Sequence, residues 1–433
     1  MIAGMSETRL DRIGAHIEKY IEAGKLPCAS ILVFRDLDEA YYFASGYADV
    51  ERKTPLARDA VFRIYSMTKP VTSVALMTLY EHGLFQLDDP VSKHIPAWEN
   101  LKVYESGEGD AMKTRDLTEP MTIRHLLTHT SGLTYGFMQS HPVDALYRDR
   151  QVGGGPGRTL DDMIEGLADI PLVFDPGSRW HYSVATDVCG YLVQHFSGQD
   201  LDEYIEQTIL KPLEMNHTGF CVKPGDRDKL AACYNHDPSG FQLQDDPTDS
   251  NYHKRPSYLS GGGGMVSTID DYMKFACMLL GFDPTIGEDP ILGLRTRQYM
   301  LTNHLPGGVD LAAMGQSVFS ETSFAGVGFG LGFSVVIDPI ESSVLDNYRT
   351  SGWGGAASTY FWVDPSERVA VVFMTQLLPS STFPIRRELK TLVNQAIVMD
   401  PIELDMGDPT LDDMFDPEYD DEFSEQDIDD IRH

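Results

Sequence analysis

Ser66 and Lys69, three residues apart, are the first residues in the sequence whose types and spacing could do chemistry. Residues at i and i+3 lie on one face of a helix, with Cβ atoms about 5–6 Å apart. A serine hydroxyl attacks well only when a base takes its proton, and a partly buried, neutral lysine can do so. A serine at a helix N-terminus also presents its own N–H to developing negative charge. The alternative is a capping serine followed by a surface lysine.

Tyr182 is the second candidate and stands before Ser183 in the segment DPGSRWHYSVATD. A tyrosine that is hydrogen-bonded to a neutral lysine can relay the proton of a serine to a leaving group. The alternative is a tyrosine that packs its ring in the core.

The third candidate is the glycine-rich segment 351–356, with Trp353, Gly354 and Gly355 at its centre and Ala356 at its end. Backbone with few side chains lets a substrate carbonyl come close, and the N–H of Ala356 is expected to face that of the serine. One such donor is typically worth about 3 kcal/mol of activation barrier. A tight turn around a buried tryptophan is the alternative interpretation.

These segments need helices and strands to position them, and the periodicity of apolar residues predicts such elements. We predict a helix at 7–24, two strands joined by a turn at 36–38, a short strand at 60–65 and a helix that ends at Gly83. From about 85 to 325, short helices alternate with loops. Strands return after residue 330, with a hairpin around Asp364 and a final helix at 383–398.

This order of elements predicts an α+β fold in which the first and last segments share one sheet. The chain has 433 residues, too many for one ordinary core. We predict a sheet domain made of 1–84 and 326–399 together, and a mainly helical insertion domain at 85–325. Residues 400–433 carry a net charge of −14, and we predict a disordered or loosely attached acidic tail there.

Charge and composition restrict the partners and the compartment. The net charge of −32 leaves −18 for the body without its tail, which argues against nucleic acid as a partner. No apolar run approaches the about 20 residues that span a bilayer. The five cysteines form no CxxC pair and the N-terminal segment does not read as a signal peptide, so we predict reduced thiols and a cytoplasmic protein.

We predict no metal site and no cofactor. His125 and His129 have the spacing of a zinc pair, but the glutamate of HExxH is absent and no third ligand is evident. The glycines at 261–264 are predicted to allow close chain approach, without a chemical role. The residues that could wall an apolar acyl pocket, or equally pack in the core, are Tyr135, Phe137, Met138 and Trp180.

The order of the three candidate segments resembles that of the serine β-lactamases and penicillin-binding proteins. The resemblance covers about residues 8–398. It implies a β-lactamase/transpeptidase-like fold, with an antiparallel sheet flanked by helices and a large mainly helical insertion. The other segments that are similar to this superfamily are MTIRHLLTHTSGL, FDPGSRWHYSVATDVCGYLV, YIEQTILKPLEMNHTGF and LSGGGGMVSTIDDYMKF.

Within this superfamily, the chain looks most like the family VIII carboxylesterases. Penicillin-acting members carry Lys-Thr-Gly where this chain has Trp353, Gly354 and Gly355. A lysine there would pair with a substrate carboxylate, whereas a tryptophan offers an apolar wall that suits neutral esters. The middle motif reads Tyr-Ser-Val in place of the Tyr-x-Asn typical of class C enzymes, so it lacks an amide donor.

We therefore predict a carboxylesterase that acts on small-molecule esters through a Ser66 acyl-enzyme. Lys69 and Tyr182 together deprotonate Ser66, the N–H groups of Ser66 and Ala356 bind the oxyanion, and water frees the acid. Either Lys69 or Tyr182 could be the kinetic base, and the oligomeric state is left open.

Three alternatives use the same sequence features. An acyltransferase would pass the acyl group to an alcohol instead of water. A β-lactam or D-amino-acid amide hydrolase would need a charge near the site, which the sequence does not place. A non-enzymatic binding module fits poorly because all three candidate segments are present.

Overall fold

The structure is a computed structural model that describes residues 1–283, 289–315, 324–380 and 382–400. The acidic tail predicted at 400–433 lies outside the described residues apart from Asp400. Within these ranges no helix combines the length and the apolar character needed to cross a membrane.

A large antiparallel sheet organises the molecule. In chain order the strands of the described residues are β1 (Cys28–Arg35), β2 (Asp38–Asp49), β3 (Thr54–Pro55), β4 (Phe62–Arg63), β5 (Lys102–Ser106), β6 (Lys113–Asp116), β7 (Cys233–Asp237), β8 (Gly240–Asp245), β9 (Val266–Ser267), β10 (Val327–Phe329), β11 (Ser334–Val336), β12 (Ser351–Gly354), β13 (Tyr360–Asp364), β14 (Val369–Met374) and β15 (Leu377–Leu378). Eight of them form the sheet, in the order β10-β11-β12-β13-β14-β1-β2-β3. Ser30 of β1 lies opposite Met374 of β14, so the first and last segments share this sheet, as predicted.

Helices pack around this sheet. The α-helices of the described residues are α1 (Glu7–Glu22), α2 (Thr68–Glu81), α3 (Ile123–Leu127), α4 (Pro142–Asp149), α5 (Leu160–Leu167), α6 (Ala185–Ser197), α7 (Leu201–Ile205), α8 (Ile269–Leu280), α9 (Leu294–Met300), α10 (Leu311–Met314) and α11 (Ile385–Asn394). The helices predicted at the start and the end of the chain are present as α1 and α11, each a few residues shorter than predicted because the terminal turns are not helical.

The two faces of β1 show why helices cover both sides of the sheet. Successive side chains of a strand point to opposite faces. Ile31 and Val33 enter one apolar cluster with residues of α1 and α11, whereas Leu32 enters another with residues of α2 and α8. Because both faces are buried, the strand reads as a continuous apolar run rather than an alternating one.

The segment between residues 85 and 325 contains α3 to α10 and also strands that the sequence pattern did not predict. Strands β7 and β8 form a hairpin, and β15 from the last part of the chain pairs in parallel with β7. Strands β5 and β6 form a second hairpin. The strands of the two hairpins, β5 to β8, carry mostly polar side chains and lack the apolar period by which strands are recognised. The division of the chain into domains at residues 84 and 326 stays a prediction.

Candidate active site

Ser66 lies in a tight turn that leads from a strand into a buried helix. Strand β4 is followed by a 3-10 turn at Tyr65–Met67, and α2 then begins at Thr68. Tyr65 has a φ of 42°, a left-handed conformation that costs energy for a residue with a bulky side chain. The strained turn holds Ser66 just before α2, where the positive end of the helix dipole favours negative charge.

Lys69 lies in the first turn of α2 and is buried, with 1% of its surface exposed. Its Nζ lies 3.4 Å from Ser66 Oγ and donates to the carbonyl oxygen of Gly262 at 2.6 Å. The same nitrogen lies 4.4 Å from the ring centroid of Tyr182 and 5.5 Å from that of Tyr135. The alternative of a surface lysine is therefore wrong, because a carbonyl and two aromatic faces surround the amine.

The phenol of Tyr182 points at the serine. Its hydroxyl donates to Ser66 Oγ at 2.6 Å. The ring packs against His129 and Trp353, with centroid distances of 5.0 and 5.7 Å. The structure thus brings the hydroxyl of Ser66, the amine of Lys69 and this phenol together, although the phenol and the serine are 116 residues apart in the chain.

Strand β12 brings the third candidate segment beside Ser66. A Cβ added to Gly355 would collide with the carbonyl oxygen of Ile64, and one added to Gly354 would lie 2.7 Å from a guanidinium carbon. Only glycine permits this close approach of two chain segments. Ala356 follows directly and lines the same cavity as Ser66.

Ser66 opens onto a cavity of about 470 Å³, a size typical of small-molecule sites. The predicted site residues that line it are Ser66, Tyr182, Trp353, Gly354, Gly355 and Ala356. Lys69 lies behind the serine and is not part of the wall. The apolar lining includes Phe137, Phe324, Val327, Val336 and Trp353, and the charged lining consists of Asp346, Arg386, Arg387 and Lys390. The cavity therefore offers apolar surface next to the nucleophile and a charged portion in the same wall.

The glycine loop at 261–264 makes hydrogen bonds at the site, a role that sequence analysis missed. The Gly262 carbonyl accepts from Lys69, and the Gly262 N–H donates to Asp187 Oδ1 at 3.2 Å. Ser260 Oγ donates to the same oxygen at 2.6 Å. Burial raises the pKa of the Asp187 carboxyl, and the charge of Lys69 opposes that shift. The run of four glycines was the only sequence signal for this contact, and Asp187 had none.

Helix α11 brings two arginines to the cavity that sequence analysis also missed. The Nη2 of Arg386 donates to the carbonyl oxygens of Gly355 and Thr359 at 2.7 and 2.9 Å. The Nη2 of Arg387 donates to the carbonyl oxygen of Ser343. Positive charge therefore lines the cavity that contains Ser66, a feature that the sequence did not place. Nothing in the local pattern FPIRRELK distinguishes these arginines from solvated ones.

His125 and His129 have separate hydrogen-bond partners. Nδ1 of His125 accepts from the Thr122 N–H at 3.2 Å, and Nδ1 of His129 lies 3.3 Å from Ser183 Oγ. Burial, with a further contribution from the charge of Lys69, lowers the pKa of His129 well below its usual value, so its ring is neutral at pH 7. In the part of the chain that the structure describes, no group of three or more His, Cys, Asp or Glu could hold a metal ion.

The four residues predicted either to wall an acyl pocket or to pack in the core divide between these roles. Phe137 lines the cavity, is 57% exposed and stacks on Tyr135 at a centroid distance of 4.6 Å. Trp180 is buried in an apolar cluster that includes Tyr182, and Met138 packs against that cluster. Trp180 therefore packs in the core, whereas Phe137 forms part of the pocket wall.

A serine that leads into a buried helix lies within hydrogen-bond distance of a lysine one turn later and of a tyrosine distant in the chain, beside strand β12 of an antiparallel sheet. This fold and site define a serine hydrolase of the β-lactamase and penicillin-binding-protein type. The chain belongs to the beta-lactamase family, whose model matches residues 13–395. The predicted superfamily and fold are confirmed by this match and by the likeness to solved structures.

Similar proteins span nearly the whole chain. Protein Rv1367c of Mycobacterium tuberculosis is 34% identical over 373 residues, which cover 86% of this chain and 90% of that protein. Esterase EstB of Burkholderia gladioli is 28% identical over 384 residues, covering 84% of this chain and 89% of EstB. Among solved structures, EstCE1, described as a hydrolase with promiscuous acyltransferase activity, is 26% identical with a TM-score of 0.71, covering 90% of this chain and 98% of EstCE1.

Proposed function

We propose that this protein is a carboxylesterase of the family VIII type that hydrolyses small-molecule esters through an acyl-enzyme on Ser66. The observation that carries the proposal is the position of Tyr182 OH and Lys69 Nζ, 2.6 and 3.4 Å from the Oγ of Ser66, a residue that lines the cavity. Trp353 in place of a lysine supports an uncharged ester group beside the nucleophile. The similarity to EstB, an esterase by its description, supports the same substrate class.

In the first step Ser66 Oγ attacks the ester carbonyl carbon, and its proton passes to the oxygen of Tyr182. The shorter distance to Tyr182 supports its oxygen as the atom that receives the proton directly, after the phenol has passed its own proton to a neutral Lys69. The carbonyl oxygen becomes an oxyanion that the N–H groups of Ser66 and Ala356 bind. We therefore propose Tyr182 as the direct base, whereas the sequence left the choice between Lys69 and Tyr182 open.

The same groups complete the turnover. Tyr182 returns the proton to the alkoxide oxygen as the carbon–oxygen bond breaks, and the alcohol leaves an acyl group on Ser66. Water then attacks the acyl carbon and gives its proton to Tyr182, which passes it to Ser66 Oγ as the acid departs. Each step uses only residues of this chain.

Acyl transfer to an alcohol is a second candidate function. The description of EstCE1 favours it, and the cavity has room for an acyl group together with a second substrate. Turnover of a p-nitrophenyl ester in the presence of increasing alcohol separates the two: a transferase forms mainly the new ester, and a hydrolase forms mainly the free acid.

The cysteines support a cytoplasmic location, which we propose as the site of action. All five are free, and Cys28, Cys189, Cys233 and Cys277 are buried. Free thiols persist in a reducing compartment. We also propose that activity needs no metal or cofactor, and activity of the purified protein after dialysis against a chelator tests this.

Replacement of the nucleophile tests the proposed function. Ser66→Ala should lower the turnover of a p-nitrophenyl ester at least about 1,000-fold, because no other group can form the acyl-enzyme. Ser73→Ala is the matched control, because Ser73 is a buried serine of α2, the helix that follows Ser66, and it does not line the cavity. Near wild-type turnover of Ser66→Ala would refute the proposal.

Two further measurements define the substrate. A fluorophosphonate probe should label Ser66 in the wild type, and absence of labelling would instead support a binding module. A panel of esters from acetyl to dodecanoyl, with nitrocefin alongside, measures the acyl preference and any lactam hydrolysis.

A further inference from the structure

The peptide group between Gly355 and Ala356 connects a half-buried charge, that of Arg386, to the proposed oxyanion site. In a planar trans peptide the carbonyl and the following N–H point in opposite directions. The carbonyl oxygen of Gly355 accepts from Arg386 Nη2 at 2.7 Å and from the N–H of Ser358 at 3.1 Å. The N–H of Ala356 must therefore point away from the guanidinium of Arg386.

The guanidinium is held in place from several sides. Its Nη2 also donates to the carbonyl oxygen of Thr359 at 2.9 Å, and its Cζ lies 5.4 Å from the ring centroid of Tyr360. A Cβ added to Gly354 would lie 2.7 Å from this Cζ, so the glycine leaves the space that the guanidinium occupies. Arg386 is thus fixed on the edge of the β12–β13 turn before any substrate binds.

We propose that Arg386 is a positioning residue for the oxyanion hole, which orients and polarises the Gly355–Ala356 peptide so that the Ala356 N–H is a stronger donor. This inference rests on the proposed function and deepens it. A hydrogen bond to a charged donor at one end of a peptide group strengthens the bond that its other end makes, by roughly 10–30% per bond. The effect increases as negative charge develops on the substrate oxygen, so it acts on the transition state more than on the bound ester.

Arg387 provides the matched control. It is the next residue of α11, lines the same cavity and carries the same charge, but its guanidinium donates to the carbonyl of Ser343. Loss of Arg387 therefore removes one positive charge from the wall without changing the Gly355–Ala356 peptide. A general effect of cavity charge would lower the kcat of both variants to a similar extent, whereas an effect through the peptide would lower the kcat of the Arg386 variant much more.

The experiment compares Arg386→Ala, Arg386→Lys and Arg387→Ala with the wild type on a p-nitrophenyl ester. We expect kcat of Arg386→Ala to fall about 10-fold to 50-fold with KM little changed, a smaller loss than the about 100-fold to 1,000-fold for removal of a whole oxyanion donor. Arg386→Lys should be intermediate, because an ammonium donates to the carbonyl without the planar fork. Any change of kcat in Arg387→Ala should be several-fold smaller than in Arg386→Ala, because the Arg387 guanidinium donates to Ser343 and not to the Gly355–Ala356 peptide.

A transition-state analogue separates this role from a merely structural one. Phenylboronic acid adds to the serine oxygen and places a hydroxyl in the oxyanion hole, so its Ki should rise in Arg386→Ala by the factor by which kcat/KM falls. Millimolar methylguanidinium should restore part of the activity of Arg386→Ala and leave Arg387→Ala unchanged. Equal kcat in Arg386→Ala and wild type, or an unchanged Ki, overturns the inference.

Two controls keep the test decisive. If Arg386→Ala does not fold, Arg386→Lys is used, and a wild-type kcat for that variant overturns the inference. Fluorophosphonate labelling of Ser66 is measured in the wild type. A wild type without labelling or ester turnover refutes the proposed function itself, whereas an active wild type with an equally active Arg386 variant refutes only the inference.

Discussion

Asp187 offers a test of how the site is supported from behind the cavity. Its side chain is 2% exposed, and its Oδ1 accepts from Ser260 Oγ at 2.6 Å and from the Gly262 N–H at 3.2 Å. The carbonyl of Gly262 in turn accepts from Lys69 Nζ at 2.6 Å. Replacement of Asp187 should therefore move the loop that holds the amine of Lys69, although the carboxylate is not part of the cavity lining.

The magnitude follows from the groups that each substitution leaves without a partner. Asp187→Ala removes the acceptor of two buried donors, which costs about 1–3 kcal/mol for each, and it also removes a negative charge that faces Lys69. We expect a loss of about 3–5 kcal/mol in the free energy of unfolding. Asp187→Asn keeps an acceptor oxygen and should lose only about 1–2 kcal/mol. A displacement of Lys69 by about 1 Å lowers kcat roughly 100-fold, which we expect for the alanine variant.

Urea unfolding and steady-state ester hydrolysis measure the two effects separately. Asp271→Ala is the matched control, because this buried carboxylate in the first turn of α8 accepts from the His217 N–H at 2.7 Å and from Thr218 Oγ1 at 3.0 Å. It should lose a similar stability and keep its kcat. Wild-type kcat in folded Asp187→Ala would show that the loop does not position Lys69.

Two further predictions concern the cavity wall and the response to acid. Trp353→Ala should change the preference among esters, because its ring packs 5.7 Å from Tyr182 and 5.3 Å from Phe329; identical relative rates for a panel of esters would contradict this. Burial lowers the pKa of His125 from 6.5 to about 4 in the folded protein. The histidine of the unfolded chain therefore binds a proton more tightly than that of the folded protein. The stability that the neutral ring contributes is lost as the pH falls from about 6.5 to about 4. Between pH 7 and pH 4.5, the free energy of unfolding of His125→Gln should therefore fall by roughly 2 kcal/mol less than that of the wild type, as measured by urea unfolding. Equal pH dependence of the two proteins would show that His125 is not the group responsible.

Local spacing was enough to predict that Ser66 and Lys69 lie close together, because residues three apart share one face of a helical turn, and the structure has Ser66 in the 3-10 turn that leads into α2. It was not enough to bring Tyr182 to them. That prediction came from the order of motifs in a known superfamily, since no rule of periodicity relates residues 116 apart. The assignment of each residue's role stays a prediction until Ser66 and its partners are replaced.

Contacts that pass through the backbone were not predictable in this way. Gly262 and Gly355 look like ordinary turn residues in the sequence, and their chemical value comes from which distant side chain bonds their peptide groups. Sequence analysis was limited for the strands too, because it found only those with a recognisable apolar pattern. Strands β1 and β14 are buried apolar runs and were predicted, whereas β7 and β8 are polar, take part in a small sheet with β15 and were missed.

The arrangement of charge explains why so much of this site is invisible to motif spacing. Asp187 and Arg386 carry opposite charges, and each acts on a glycine, Gly262 and Gly355, instead of on the reacting atoms. Gly262 presents its carbonyl to Lys69. Gly355 is proposed to orient an oxyanion donor, the N–H of Ala356. Because a backbone dipole cannot be deleted by a side-chain substitution, the residues to replace are those whose side chains bond the two peptide groups, the buried Asp187 behind the cavity wall and the half-buried Arg386 in it. Turnover should therefore depend on a carboxylate and a guanidinium that stand in no motif of the sequence and act on the reaction through backbone groups.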